Sequence, residues 1–230
     1  MGAFGNASAT MGEWIPLTTP EGPVQAWLAR PETQPLGAVV VIQEIFGVNP
    51  HIRAVTDRFA DAGFTAMAPA LFDLVRPGTE LRYDDAGVIR GRDYAADLGF
   101  ERALKGVSAA ARWLRESGHR VGAVGFCWGG TLAMLANTRL HLPSVTYYGG
   151  RSVPFLGEPA LAPMLFHFGE RDRLIPPEDV EKHRIHHPEA TVHVYPAGHG
   201  FNCDERADFD ADCAALAWSR TTAFLTEHLR

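Results

Sequence analysis

Cysteine is scarce: three in 230 residues, Cys127, Cys203 and Cys213, an odd set with no Cys-x-x-Cys spacing. That excludes a disulfide framework and a thiolate zinc knuckle, and it predicts a reducing, cytoplasmic compartment. Basic excess is missing too. A net charge of -6 provides no cationic face for nucleic acid or an acidic membrane. No uninterrupted apolar run is long enough to cross a bilayer. No repeat, linker or low-complexity block divides the chain. Residues 1–12 lack the basic start and apolar centre of a signal peptide, and Asn6 stands where a myristoylation pattern needs Ser or Thr. They read as a flexible leader, followed by one domain over residues 13–230.

The remainder alternates between strand and helix signals. Two alternating segments, 13–17 and 24–29, flank the turn Thr19-Pro20-Glu21-Gly22 and predict an antiparallel edge hairpin. Residues 37–42 are continuously apolar, as a strand covered on both faces should be. Asn49-Pro50 caps a helix whose buried face is Ile52, Val55, Phe59 and Ala62, ended by Gly63. A strand over 64–71 follows. Residues 73–92 are polar, carry Pro and Gly, and show no period, so they read as a long surface loop. Leu104, Val107, Ala111 and Leu114 mark the next helix. Further strands are expected at 121–126, 145–148, 164–168 and 191–195, with helices at 131–137 and near 178–187. A closing helix should bury Ala211, Ala215, Trp218, Thr222 and Leu225. This order predicts a single α/β domain: a mostly parallel sheet with helices on both faces and an antiparallel N-terminal hairpin.

Chemistry concentrates at Gly125-Phe126-Cys127-Trp128-Gly129-Gly130, where a strand reverses into a helix. That is the layout of a nucleophile elbow with cysteine in place of serine. So tight a reversal strains the central residue and needs neighbours without side chains. It also sets Cys127 at a helix amino terminus, whose dipole favours a thiolate. An elbow nucleophile needs an imidazole, and the imidazole needs an orienting acid. Downstream, Asp172 and His199 each follow a predicted strand, in the order nucleophile, acid, histidine. Glu170 is a competing carboxylate, with Asp172 favoured because it lies deeper in its turn. Glu44, at the end of an apolar strand, is either solvated at the sheet edge or buried with a partner. His183, His186, His187 and His193 have metal-like spacing, yet no acid or thiol completes a site, so no metal is expected there.

With these motifs assembled, the chain resembles the dienelactone hydrolase (carboxymethylenebutenolidase) family of the α/β-hydrolase fold. The motifs are Gln43-Glu44-Ile45-Phe46-Gly47, the elbow, the run from Gly169 to Pro176, and Ala197-Gly198-His199-Gly200-Phe201. The resemblance implies a Cys127-His199-Asp172 triad, with Glu44 placed against the nucleophile. It implies an oxyanion hole from the backbone amides of Ile45 and Trp128, and the elbow alone already points to the second. Phe46 and Trp128 should line the pocket. Family members hold a substrate carboxylate with arginines; here the candidates are Arg90, four residues before Tyr94, or Arg92 because the helix that follows is offset by a residue, and Arg206. Cys203 takes the slot nearer the histidine, so Arg206 falls late. The implied activity is cofactor-independent hydrolysis of a small ester or enol-lactone through a thioester, by a monomer or small homo-oligomer. Two other readings remain: a non-catalytic small-molecule binder, and thiol-redox chemistry between Cys127 and Cys203.

Overall fold

The computed structural model describes residues 11–230. Its strands are β1 (Glu13–Thr19), β2 (Gly22–Ala29), β3 (Ala38–Ile42), β4 (Thr65–Pro69), β5 (Val121–Phe126), β6 (Ser144–Tyr147), β7 (Met164–Gly169) and β8 (Thr191–Tyr195). They form one sheet in the order β1-β2-β4-β3-β5-β6-β7-β8. β1 and β2 pair antiparallel, β2 meets β4 antiparallel, and every pairing from β4 to β8 is parallel. The expected leader lies outside the described residues except Met11 and Gly12, and the Gly12 amide donates to Asp57 Oδ1 at 3.1 Å.

Five longer helices cover the sheet: α1 (Pro50–Asp61), α2 (Asp85–Glu116), α3 (Trp128–Leu140), α4 (Pro177–His186) and α5 (Ala211–Leu229). Alternation along β3 shows how both faces are filled. Val39 and Val41 pack with Ile52 and Phe59 of α1 and Leu225 of α5, whereas Val40 and Ile42 pack with Val107 of α2 and Leu132 of α3. A strand buried on both sides must be apolar throughout, as β3 and β5 are. No described helix is long and apolar enough to cross a membrane.

Two sequence expectations are corrected. Residues 85–92 belong to α2, so the loop is shorter than 73–92. Asp84 caps the helix by accepting from the Gly87 amide at 2.8 Å. The buried face there is Gly87, Gly91, Ala95 and Leu98, a helical stripe built mostly of residues too small to register as an apolar period. α2 kinks at Gly99 (φ 68°), a conformation that only glycine adopts at little cost. In α5 the buried stripe is Cys213, Ala214, Ala217, Thr221 and Leu225, while Ala211 and Ala215 are exposed. The helix is rotated about its axis relative to that expectation because Thr221, rather than Thr222, turns inward to bond buried Tyr147 and His167.

Candidate active site

The elbow forms as the sequence requires. Cys127 sits between β5 and α3 at φ 54°, ψ -116°, a strained state for a residue with a side chain. Any side chain at Gly125 would collide with the Gly129 carbonyl, and one at Gly129 would collide with the carbonyls of Ile42 and Gln43. Chain crossing at this point is therefore set by two absent Cβ atoms. The Cys127 amide donates to the Tyr147 carbonyl at 2.9 Å, which anchors the turn to β6.

His199 arrives from the loop after β8, and its Nε2 lies 3.1 Å from Cys127 Sγ. Its Nδ1 lies 2.7 Å from Asp172 Oδ2. The other oxygen of Asp172 accepts from the Leu174 amide at 2.8 Å. Asp172 is buried in the turn after β7; Glu170, the competing carboxylate, is exposed. Burial works against a charged imidazole here, but the Cys127 sulfur and the Asp172 carboxylate outweigh it and push His199 up to about 10.

Glu44 is fully buried, just past the end of β3. Its Oε1 accepts from Arg206 Nη1 at 3.0 Å, while Oε2 has no partner among the described residues. Glu44 is thus bound to Arg206, and Cys127 to His199. The late sequence position of Arg206 is bridged by two tight turns, Cys203 N–H to Gly200 O at 2.9 Å and Arg206 N–H to Cys203 O at 3.1 Å. These fold the loop back and bring the guanidinium over the Phe46 ring, 5.9 Å from its centroid.

A cavity of 340 Å³ opens on Cys127 and His199, with Phe46 and Trp128 among its walls. Trp128 is held between Phe72 at 5.5 Å and Phe100 at 6.0 Å between ring centroids. Ile45 also lines the cavity, and its carbonyl lies against Gly91 of α2 so closely that no side chain would fit at position 91. Trp128 opens α3, where a first-turn N–H has no acceptor within the helix.

Of the two upstream arginines, Arg92 lines the cavity; Arg90 is exposed on α2 and lies outside it. Tyr94 likewise does not reach it and packs edge-on against Phe72 at 5.9 Å. Arg151, after β6, lines the cavity and was not anticipated. Gln43 is another buried side chain that sequence reasoning passed over. Its Oε1 accepts from the Leu71 amide at 3.0 Å and its amide nitrogen donates to the Glu44 carbonyl at 3.2 Å, tying down the strand end. Its place in the Gln43-Glu44-Ile45 run was the available signal.

The histidine group does not converge. His183 packs against Phe166 and Phe168, whereas His193 stacks on His167, so the two lie on opposite faces of β7. Both ring nitrogens of His183 are engaged, by Ser152 Oγ and the Asp179 carbonyl, each at 2.6 Å.

A strand-to-helix elbow at the carboxyl edge of a mostly parallel eight-stranded sheet, with an acid and a histidine from later loops at the same edge, defines a protein of the α/β-hydrolase fold. Residues 24–229 match the dienelactone hydrolase family, to which the chain belongs. It is 34% identical over 213 residues to carboxymethylenebutenolidase 1 of Cupriavidus pinatubonensis, covering 87% of this chain and 90% of that protein. It is 33% identical to the carboxymethylenebutenolidase of Pseudomonas putida, covering 87% and 89%. A solved structure from Klebsiella pneumoniae subsp. pneumoniae MGH 78578, provisionally named a dienelactone hydrolase, superposes with a TM-score of 0.85 at 28% identity, covering 96% of this chain and all of that one. The chain is a carboxylic-ester hydrolase.

Proposed function

We propose that the protein hydrolyses a small ester or lactone, with enol-lactones favoured, through a Cys127-His199-Asp172 triad and a thioester intermediate. The observation that carries this reading is the chain of contacts from Cys127 Sγ to His199 Nε2 at 3.1 Å and from His199 Nδ1 to Asp172 at 2.7 Å, in the wall of a cavity. The thiol proton passes to His199 and the sulfur attacks the carbonyl carbon. The backbone N–H groups of Ile45 and Trp128 bind the resulting oxyanion. Collapse expels an alkoxide or enolate, which takes the proton from His199, and leaves the acyl group on sulfur. Water then gives a proton to His199 and attacks the thioester, releasing the acid and restoring the thiol. A sulfur nucleophile is itself a good leaving group, so it competes poorly with an alkoxide; an enolate departs more readily, hence the preference for enol-lactones.

Arg92 and Arg206 both line the cavity, which supports a substrate that carries a carboxylate; Arg206 would exchange Glu44 for it. Three free thiols suit a reducing cytoplasm. A redox role for Cys203 is disfavoured: burial and the nearby Glu44 charge push its thiol up to about 12, away from the reactive thiolate.

The test is intact-mass spectrometry during turnover of an aryl ester and of a carboxylate-bearing enol-lactone. A covalent acyl adduct should appear and be lost in Cys127→Ala together with turnover. Retained turnover in that variant would remove the assignment. Arg92→Ala should raise KM for the carboxylate-bearing substrate about tenfold, whereas Arg90→Ala should leave it unchanged.

A further inference from the structure

Outside the catalytic edge, the first turn of α1 meets the loop that follows His199. His51 Nδ1 lies 3.1 Å from Asp204 Oδ1. One donor atom each from His51, Cys203 and Asp204 lies within 4.8 Å of the other two. We propose that these three residues bind a single zinc-class divalent cation, which ties α1 to the loop carrying His199 and Arg206. This inference is independent of the hydrolase mechanism.

The donor chemistry is selective. An imidazole, one carboxylate and a thiol that releases its proton to solvent when the ion binds suit zinc and its cobalt or cadmium analogues, and disfavour magnesium or calcium, which prefer all-oxygen sites. Spacing agrees with this. Ligand bonds of roughly 2.0–2.3 Å to a tetrahedral ion put donor atoms about 3.3–3.8 Å apart, so His51 and Asp204 are nearly in place and the sulfur needs to close by about an ångström at most.

A second observation points to a ligand at the same spot. A cavity of 500 Å³ is lined by His51, Asp204 and Asn202. Asn202 is only 8% exposed, and its Oδ1 is buried with no partner among the described residues. A buried carbonyl oxygen without a donor is costly, and here it belongs to a residue of the same cavity wall as His51 and Asp204. Arg58 also lines that cavity, but its guanidinium is committed to the face of Trp218, 3.9 Å from the ring centroid. Asp204 is exposed and fully buried Cys203 lies behind it, so the ion has an entry path with the soft donor innermost.

The experiment uses the full chain carrying Cys127→Ala, because Cys127 with His199 is itself a thiol-imidazole pair that would bind the same ions. Cobalt(II) is titrated and the thiolate-to-cobalt charge-transfer absorption is followed, with zinc added afterwards to displace it. The expected result is one equivalent bound with a thiolate band, lost in Cys203→Ala. Exposed Asp204→Asn, which should fold normally, is expected to weaken binding at least tenfold and to cancel the rise in Tm that zinc gives the parent. Absence of the thiolate band in the parent, its survival in Cys203→Ala, or unchanged affinity in Asp204→Asn would each overturn the site.

Discussion

His199 and His167 are both buried, and both report on where charge is allowed. His199, at the carboxyl edge of the sheet, meets a carboxylate on one nitrogen and a sulfur on the other, and is pushed up to about 10. His167 lies within β7, beneath α5, and meets only hydroxyls: Tyr195 Oη at 2.8 Å from Nδ1 and Thr221 Oγ1 at 3.0 Å from Nε2. Burial, with the nearby His193 and Arg220, holds His167 well below the ordinary imidazole range. Burial opposes the proton at both positions, so depth does not separate them. The charge of the partner does.

The hydroxyl network also selects the neutral ring. Arg220 Nη1 donates to Tyr195 Oη at 3.1 Å, which leaves the Tyr195 O–H free to donate to His167 Nδ1. The Nε2–H of His167 then donates to Thr221, whose hydroxyl also bonds Tyr147 Oη at 2.7 Å. A second proton on the ring would have to break this chain. One region therefore sets a carboxylate and a sulfur on either side of an imidazole, and the other rigidifies the core with every member satisfied.

The contrast can be broken at either end. Asp172→Asn keeps the shape but removes the charge that orients and supports His199. It should lower kcat/KM by roughly 10³- to 10⁴-fold with little change in folding; a loss under tenfold would mean that Asp172 does not orient His199. At the other end, His167→Ala leaves Tyr195 and Thr221 unpaired beside a new void. It should cost about 2–4 kcal/mol in urea denaturation, with kcat/KM per folded molecule unchanged.

Acid sharpens the same distinction. His167 resists protonation when folded, so its contribution to stability is complete above the unfolded value of 6.5 and is lost as pH falls below it. The slope per proton is about 1.4 kcal/mol per pH unit at most. In His167→Ala this slope should be reduced but not abolished, because burial also lowers His183 and His187. Histidine NMR on Cys127→Ala should show the His199 titration moving down from about 10, since the sulfur is the largest influence raising it. A titration that stays in place would show that Asp172 alone sets its charge. The smallest effect is expected from Thr221→Val, about 1–3 kcal/mol of stability from two unpaired hydrogen-bonding groups.

How far the sequence could be read follows the same division. β3, β5 and the elbow were legible because continuous apolar runs and paired glycines constrain the backbone locally. The hairpin, α1 with its Asn49 cap, and β8 were legible for similar reasons. The start of α2 was not, because Gly87 and Gly91 carry no hydrophobic signal, and their role is to let a helix lie against the backbone at Ile45. The α5 face was misjudged because Thr221 is core only through partners on β6 and β7, far away in sequence. The choice between Arg90 and Arg92 turned on a helix phase that starts at the unrecognised cap Asp84.

Chain order and local backbone chemistry alone determined that a thiol stands on an elbow, that an acid and a histidine follow later strands, and that parallel strands carry them. Those are properties of short segments, where sterics and hydrogen bonding act between near neighbours. Only the folded arrangement decided that Glu44 bonds Arg206, that Asp172 rather than Glu170 meets His199, and that one buried imidazole is pushed above the ordinary range and the other below it. Each of these depends on the field and the space that distant segments create around a group, and neither exists until the sheet has brought them together.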